Sequence, residues 1–239
     1  MRKDGRKPDE LRPVTIERNF TKFAPGSVFI QMGDTKVICT ASVDEVVPPY
    51  MKNSGQGWIT AEYSLLPGST PKRVMRESAR GKVNGRTQEI QRLIGRSMRA
   101  IANLSALGER TIWIDCDVIQ ADGGTRVAAI TGGYVALVDA ISWLRKNGKI
   151  TDEPLLGSVA AVSVGVVNDV SLLDLCYEED FAAKVDMNIV LTGDGEYVEL
   201  QGTGEQQTFS EKELAEMISQ AKKGINQLTQ VQKKALEGQ

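Results

Sequence analysis

The chain predicts an α+β sandwich. Two patterns carry that expectation: short alternating runs near both ends, and helix-length stretches that fall singly between and after them. The order strands, helix, strand, helix, strands, helix lacks the regular alternation of a doubly wound nucleotide fold.

In order, Pro13 to Asn19, Ser27 to Met32 and Thr35 to Val43 alternate as strands, the last two separated by Gly33-Asp34 in hairpin fashion. Val47 to Thr70, rich in Gly, Pro and Ser, reads as an extended loop that runs into the polar, basic stretch Pro71 to Gly85. From Thr87 to about Leu104, Ile90, Leu93, Ile94, Met98 and Ile101 recur at helical spacing, and Arg92, Arg96 and Arg99 share another face. Ile112, Ile114, Cys116 and Val118 alternate through a strand from Thr111 to Ile119. A helix from Arg126 then stops at Arg145-Lys146-Asn147-Gly148. Val159 to Val167, Ser171 to Leu175, Lys184 to Leu191 and Tyr197 to Leu200 read as a second group of strands. Ser210 and Glu213 form a capping box that opens an amphipathic helix to about Leu236. A faint echo between the runs starting at Gly26 and Gly195 hints at internal duplication.

At 239 residues and 41% apolar content the chain can fill one large domain or two fused halves. No run of about 18 apolar residues and no leader-like N-terminus stands out, so the cytoplasm is expected and a membrane is not. Cys39, Cys116 and Cys176 sit in apolar runs far apart and read as reduced core residues. Histidine is absent, which excludes Ser-His-Asp and Cys-His catalysis, most zinc sites and any imidazole base. Carboxylates, cations, hydroxyls, backbone dipoles and an oxygen-held metal remain, a repertoire suited to phosphoryl transfer.

The net charge of −2 hides a strong polarity. Lys72 to Arg99 holds nine cations against two acids, an excess of +7, while the remainder carries 20 cations against 29 acids, or −9. A basic island on an acidic chain fits a polyanion, nucleic acid first, although charged helix surfaces also serve merely to solubilise.

Asp122-Gly123-Gly124-Thr125-Arg126 joins a strand to a helix and is suited to an anion: glycines for a tight turn, a hydroxyl beside a helix N-terminus, and a guanidinium. Arg86, just before the first main helix, could bring a second guanidinium to a phosphate at Gly124, Thr125 and Arg126. Asp180 and Asp186 are candidates for an oxygen-only Mg²⁺ site, in competition with Asp115, Asp117, Asp122, Asp174, Glu178 and Glu179.

Several segments in order carry a resemblance: the run Met1 to Arg6 with Leu11-Arg-Pro; Gly33-Asp-Thr-Lys-Val; Trp58-Ile-Thr-Ala-Glu-Tyr; Arg76-Glu-Ser; the stretch Gly85 to Arg96; Asp115 to Arg126; and Val185-Asp-Met-Asn. Together they resemble the ribonuclease PH family of phosphate-dependent 3′-exoribonucleases. The resemblance covers nearly the whole chain and implies one domain over residues 1–239 with a ribosomal protein S5 domain 2-like fold, a two-layer sandwich with duplicated halves. It further implies a homohexamer, a trimer of dimers, that trims tRNA precursor 3′ ends and acts on other structured RNA. Carried over by position, it puts orthophosphate on Arg86, Gly124, Thr125 and Arg126, the metal, Mg²⁺, on Asp180 and Asp186, and RNA on Arg73, Arg76 and Arg80 in a loop over about 68–85. The chain departs from the family's pattern at Val127 and Ala129, where hydroxyls are usual, and at Asn84 and Gln88; the first two are expected to bear on phosphate affinity.

The expected reaction is phosphorolysis: orthophosphate attacks the last phosphodiester and releases a nucleoside diphosphate, reversibly. Arg86 and Arg126 screen the attacking anion, and Asp186 or a metal-bound water supplies the leaving group's proton. The rivals are a non-catalytic RNA-binding ring subunit and a metal-dependent nucleotide phosphohydrolase, which would need neither added phosphate nor the basic island.

Overall fold

Residues 2–204 and 207–238 are described by a computed structural model of the chain; Met1, which opens the first family-like segment, lies outside them. Strands β1 (Val14–Arg18), β2 (Gly26–Met32) and β3 (Thr35–Asp44) form an antiparallel meander. Met32 pairs with Thr35 across the expected two-residue turn, where Gly33 has φ +57. Alternation places Val28, Ile30, Met32, Val37, Cys39 and Ala41 in the core.

The stretch expected as a loop contains a strand. β4 (Trp58–Leu65) runs parallel to β5 (Thr111–Gln120), which is antiparallel to β3, giving the order β1-β2-β3-β5-β4. Ile59, Ala61 and Tyr63 alternate inward as a strand requires. The pattern is short and flanked by turn formers, and its partner lies far along the chain, so local composition pointed the wrong way.

Between β4 and β5 come a short helix, α1 (Glu77–Arg80), then α2 (Gly85–Ala100) and α3 (Leu104–Leu107). Asn84 caps α2 by accepting from the Thr87 N–H at 2.8 Å. The helix stops at Ala100, short of the expected Leu104, because Asn103 accepts from the Ser105 and Ala106 N–H groups and starts a new turn. Ile90, Leu93, Ile94 and Met98 of α2 are buried, and the helix packs on β4.

α4 (Thr125–Lys146) packs against β2 and β3 on one side and against the second sheet on the other. Its composition and length would suffice to cross a membrane, yet most of that apolar window is buried inside the protein. Such all-round hydrophobicity suits a helix enclosed by two sheets.

The second sheet, β6 (Val159–Val167), β7 (Val170–Leu173), β8 (Val185–Thr192) and β9 (Tyr197–Gly204), is antiparallel in the order β7-β6-β8-β9. β7 ends earlier than expected, since Asp174 has φ +55, and β9 runs further, to Gly204. Between β7 and β8 lies α5 (Tyr177–Ala182), which periodicity did not reveal at this length. α6 (Glu211–Glu237) opens on the expected Ser210/Glu213 capping box and covers β6, β7 and β1. Each half is thus a sheet with helices on it, α4 being shared. The echo of Gly26 and Gly195 falls on an interior strand, β2, and an edge strand, β9. Cys39 and Cys116, distant in sequence, meet as a cross-strand pair with free sulfurs 3.8 Å apart.

Candidate active site

Gly123 and Gly124 both adopt left-handed backbone, φ +73 and +66, directly before α4. A Cβ on Gly123 would lie 2.5 Å from the Leu175 carbonyl oxygen, so the turn admits little else. Arg12 fixes it from below. Its Nη1 donates to the Asp122 carbonyl, while Nε and Nη2 grip the Asp174 carboxylate at 3.0 and 2.7 Å. Thr35 Oγ1 donates to the Gly123 carbonyl at 2.6 Å and accepts from the Asp122 N–H at 3.0 Å. Asp174 is 0% exposed, so this pair is one of structure. Arg12 and Asp174 therefore position the turn, a role that neither spacing nor composition disclosed.

Above the turn opens a cavity of about 580 Å³ whose lining includes Arg86, Gly124, Thr125, Arg126, Asp180 and Asp186. Four stretches meet there: the start of α2, the start of α4, helix α5 and strand β8. Asp180 comes from α5 and Asp186 from β8. Lys72 and Arg73 join the lining, giving four cations against two carboxylates. The excess positive charge and the N–H groups of α4's first turn, which have no acceptor within the helix, suit an anion.

The competing carboxylates are engaged elsewhere. Glu178 pairs with Lys3 at 2.5 Å and Glu179 with Arg2 at 2.7 Å. Asp122, Glu178 and Glu179 line a separate cavity. Asp115 and Asp117 lie outside the cavity lining; burial, and for Asp115 also the neighbouring Glu62, raise both above the usual carboxylate range. Of the eight candidate acids, Asp180 and Asp186 alone line the cavity. With the amide of Asn188 in the same lining, they offer oxygen donors of the kind a hard divalent cation takes. No group of three or more His, Cys, Asp or Glu gathers among the described residues, so such a cation would keep water or phosphate oxygens.

Arg126 is already held. Its Nη1 donates to Gln201 Oε1 at 2.9 Å and to Glu89 Oε1 at 3.2 Å, and Gln201 Nε2 donates to the same Glu89 oxygen at 2.7 Å. The hydrogen bond from Gln201, with the charges of Arg126 and Arg86, holds the Glu89 carboxyl below its usual range against the effect of burial. Thr125 Oγ1 bonds the Tyr63 hydroxyl at 2.7 Å, and burial pushes that phenol up, so it stays neutral. Glu89, Gln201, Tyr63, Ser163 and Asn188 were given no role from the sequence, although Glu89, Tyr63 and Asn188 stand within the segments that carry the resemblance.

The other expected residues divide between the cavity and its surroundings. Arg73 lines the cavity, whereas Arg76 directly precedes α1, with no capping bond from its side chain, and Arg80 ends it, both outside the lining. The expected cationic face of α2 is partly consumed: Arg96 pairs with Glu199 at 2.7 Å, and Arg99 stacks 4.4 Å over Trp58 and donates to the Ile59 carbonyl. Val127 and Ala129 are fully buried and do not line the cavity, and Val127 Cγ2 packs beside the turn, 3.2 Å from where a Cβ on Gly124 would stand.

The models of the 3′ exoribonuclease family match the chain over residues 10–141 for domain 1 and 157–224 for domain 2. Among solved structures, rice (Oryza sativa) Rrp46 is similar at TM-score 0.79 and 22% identity, covering 98% of this chain and 100% of that one. An Archaeoglobus fulgidus exosome with RNA bound to the active site is similar at TM-score 0.81 and 23% identity, covering 96% and 91%. An archaeal exosome core gives 0.76 and 22%, with 96% and 90% covered. At these identities the likeness speaks for the fold, which is of the ribonuclease PH type.

Proposed function

The chain belongs to the 3′ exoribonuclease family, and from that premise we propose that it shortens RNA from the 3′ end by phosphorolysis. One observation carries the reading: the cavity that gathers Arg86, the Gly124-Thr125-Arg126 turn, Asp180 and Asp186. Orthophosphate is the co-substrate, bound by Arg86, Arg126, Thr125 and the backbone at Gly124. One of its oxygens attacks the phosphorus of the terminal phosphodiester in line. The bond to the penultimate 3′ oxygen breaks, that oxygen takes a proton, and the products are a nucleoside diphosphate and an RNA one residue shorter.

The two guanidiniums reduce repulsion between the entering phosphate and the RNA backbone and meet charge as it spreads over the phosphoryl oxygens. Lys72 and Arg73 line the same cavity and would hold the backbone behind the scissile bond, with Arg76 and Arg80 gripping RNA further out. Asp180 and Asp186 would hold Mg²⁺, which when bound supplies charge neutralisation at the reacting phosphoryl group. Asp186, which lines the same cavity, would supply the departing oxygen's proton. In this reading the RNAs are tRNA precursors and other structured RNA with single-stranded 3′ ends, and the chain works as a cytoplasmic homohexamer, a trimer of dimers, as the ribonuclease PH resemblance implies.

Incubation with a 3′-extended tRNA, with and without phosphate and Mg²⁺, tests the reading. Release of nucleoside diphosphates that depends on added phosphate is expected; monophosphates released without it would overturn it. A second reading is an RNA-holding ring subunit without turnover, in which the same cavity cations hold RNA. Tight RNA binding with no nucleotide released would favour it.

A further inference from the structure

Tyr177 and Phe181 lie one turn apart on α5, with ring centroids 6.3 Å apart and planes inclined at 33°. Both face water, Tyr177 at 54% exposure and Phe181 at 82%. The helix beneath them is fixed. Its first N–H donates to Asp122 Oδ1 at 3.2 Å, Glu179 closes a capping box, and Glu179 is in turn gripped by Arg2. Two apolar rings are thus held outward by a rigid mount, with Asp180 on the same short helix and Tyr177 itself lining the cavity. Lys72, Arg73, Arg86 and Arg126 line the same cavity.

Exposed flat apolar faces beside a cluster of cations match a ligand that is both polyanionic and aromatic, and single-stranded nucleic acid has that chemistry. We propose that Tyr177 and Phe181 form a stacking subsite for the bases nearest the 3′ end of single-stranded RNA, a proposal that rests on the phosphorolytic reading and deepens it. Stacking on a π-face tolerates every base, so the subsite takes any sequence, while a base-paired end lies closed to it. The platform also brings the last phosphodiester towards Asp180 by fixing the bases on that acid's own helix.

Fluorescence anisotropy with a 5′-labelled RNA oligomer tests this, using a matched oligomer whose last two nucleotides are abasic. Phe181→Ala and Tyr177→Ala should each weaken binding of the ordinary oligomer by at least about fivefold, within the range for one base stacked on an aromatic ring. Phe181→Trp should retain affinity. The abasic oligomer should bind the original protein weakly and lose nothing further in the Ala variants. In turnover the KM for RNA rises and that for phosphate stays. Equal losses for both oligomers, or no loss, would overturn the proposal. So would a changed assembly mass by light scattering with RNA affinity unaltered, since the rings would then seat a second copy of the chain. If the original protein releases no diphosphate, phosphorolysis fails, whereas the base-dependent binding difference still decides the subsite on its own.

Discussion

Arg126 and Glu89 share a hydrogen bond of 3.2 Å inside the proposed phosphate cleft. The guanidinium therefore meets an incoming anion with one carboxylate already in place, and phosphate must displace or share it. Glu89→Gln removes the competing charge but keeps the size. We expect the KM for phosphate to fall by up to about fivefold, the scale of an exposed ion pair, with the KM for RNA unchanged. A rise would mean that Glu89 orients Arg126 rather than opposing its ligand.

Arg86→Ala and Arg126→Ala should each slow phosphorolysis about a hundredfold or more, as the loss of one charge-stabilising group does. The effect should appear as a raised phosphate requirement in steady-state kinetics, with RNA affinity little altered. Unchanged rates in both variants would reject the phosphate assignment.

Salt dependence separates the cations of the basic stretch. Removing one cation that neutralises a phosphate of a single strand should flatten the log-log plot of affinity against salt by about 0.7. Arg73→Ala, on the cavity wall, should do this and also slow turnover. Arg76→Ala and Arg80→Ala should flatten the slope alone.

Arg12 and Asp174 are buried together under the glycine turn. Arg12→Met takes two side-chain donors from the buried Asp174 carboxylate and leaves it the residue-12 backbone N–H and Arg6 at 3.6 Å, at a cost of up to about 3–5 kcal/mol, read as a lower urea midpoint. Adding Asp174→Asn should recover part of the loss, because Asn tolerates the positive φ found there.

Glu213 is held down to about 2 by Lys184 and by the Ser210 cap at the start of α6. A carboxyl whose pKa is lowered on folding stabilises the protein above its unfolded value, near 4.5, and that contribution is lost as pH falls from there towards 2. Urea midpoints measured across that window should decline less steeply in Glu213→Gln than in the unchanged protein. Identical slopes would show that the cap carries no proton linkage.

Much of this architecture is legible in local sequence. Gly33-Asp34 between alternating runs specifies the β2–β3 hairpin, Ser210 with Glu213 specifies the start of α6, and two adjacent glycines before an apolar stretch specify the turn into α4. The candidate site was partly legible too, since Arg86 and the turn carry their own chemistry and the resemblance supplied the acids. β4 was not, because its strand character depends on β5, which reaches it only after α2 has been traversed. Helix α5 is too short for periodicity to reveal, and the side chains that brace the turn or hold Arg126 come from distant stretches.

The sequence by itself determined the elements whose signals lie within one turn or one hairpin, where neighbouring residues supply both the pattern and the partner. Only the tertiary structure decided that the six competing carboxylates stay out of the cavity lining, that Asp174 answers Arg12, and that Glu89 already occupies Arg126. Those outcomes depend on which surfaces two sheets bring together around α4, and a local pattern holds no information about a partner a hundred residues away.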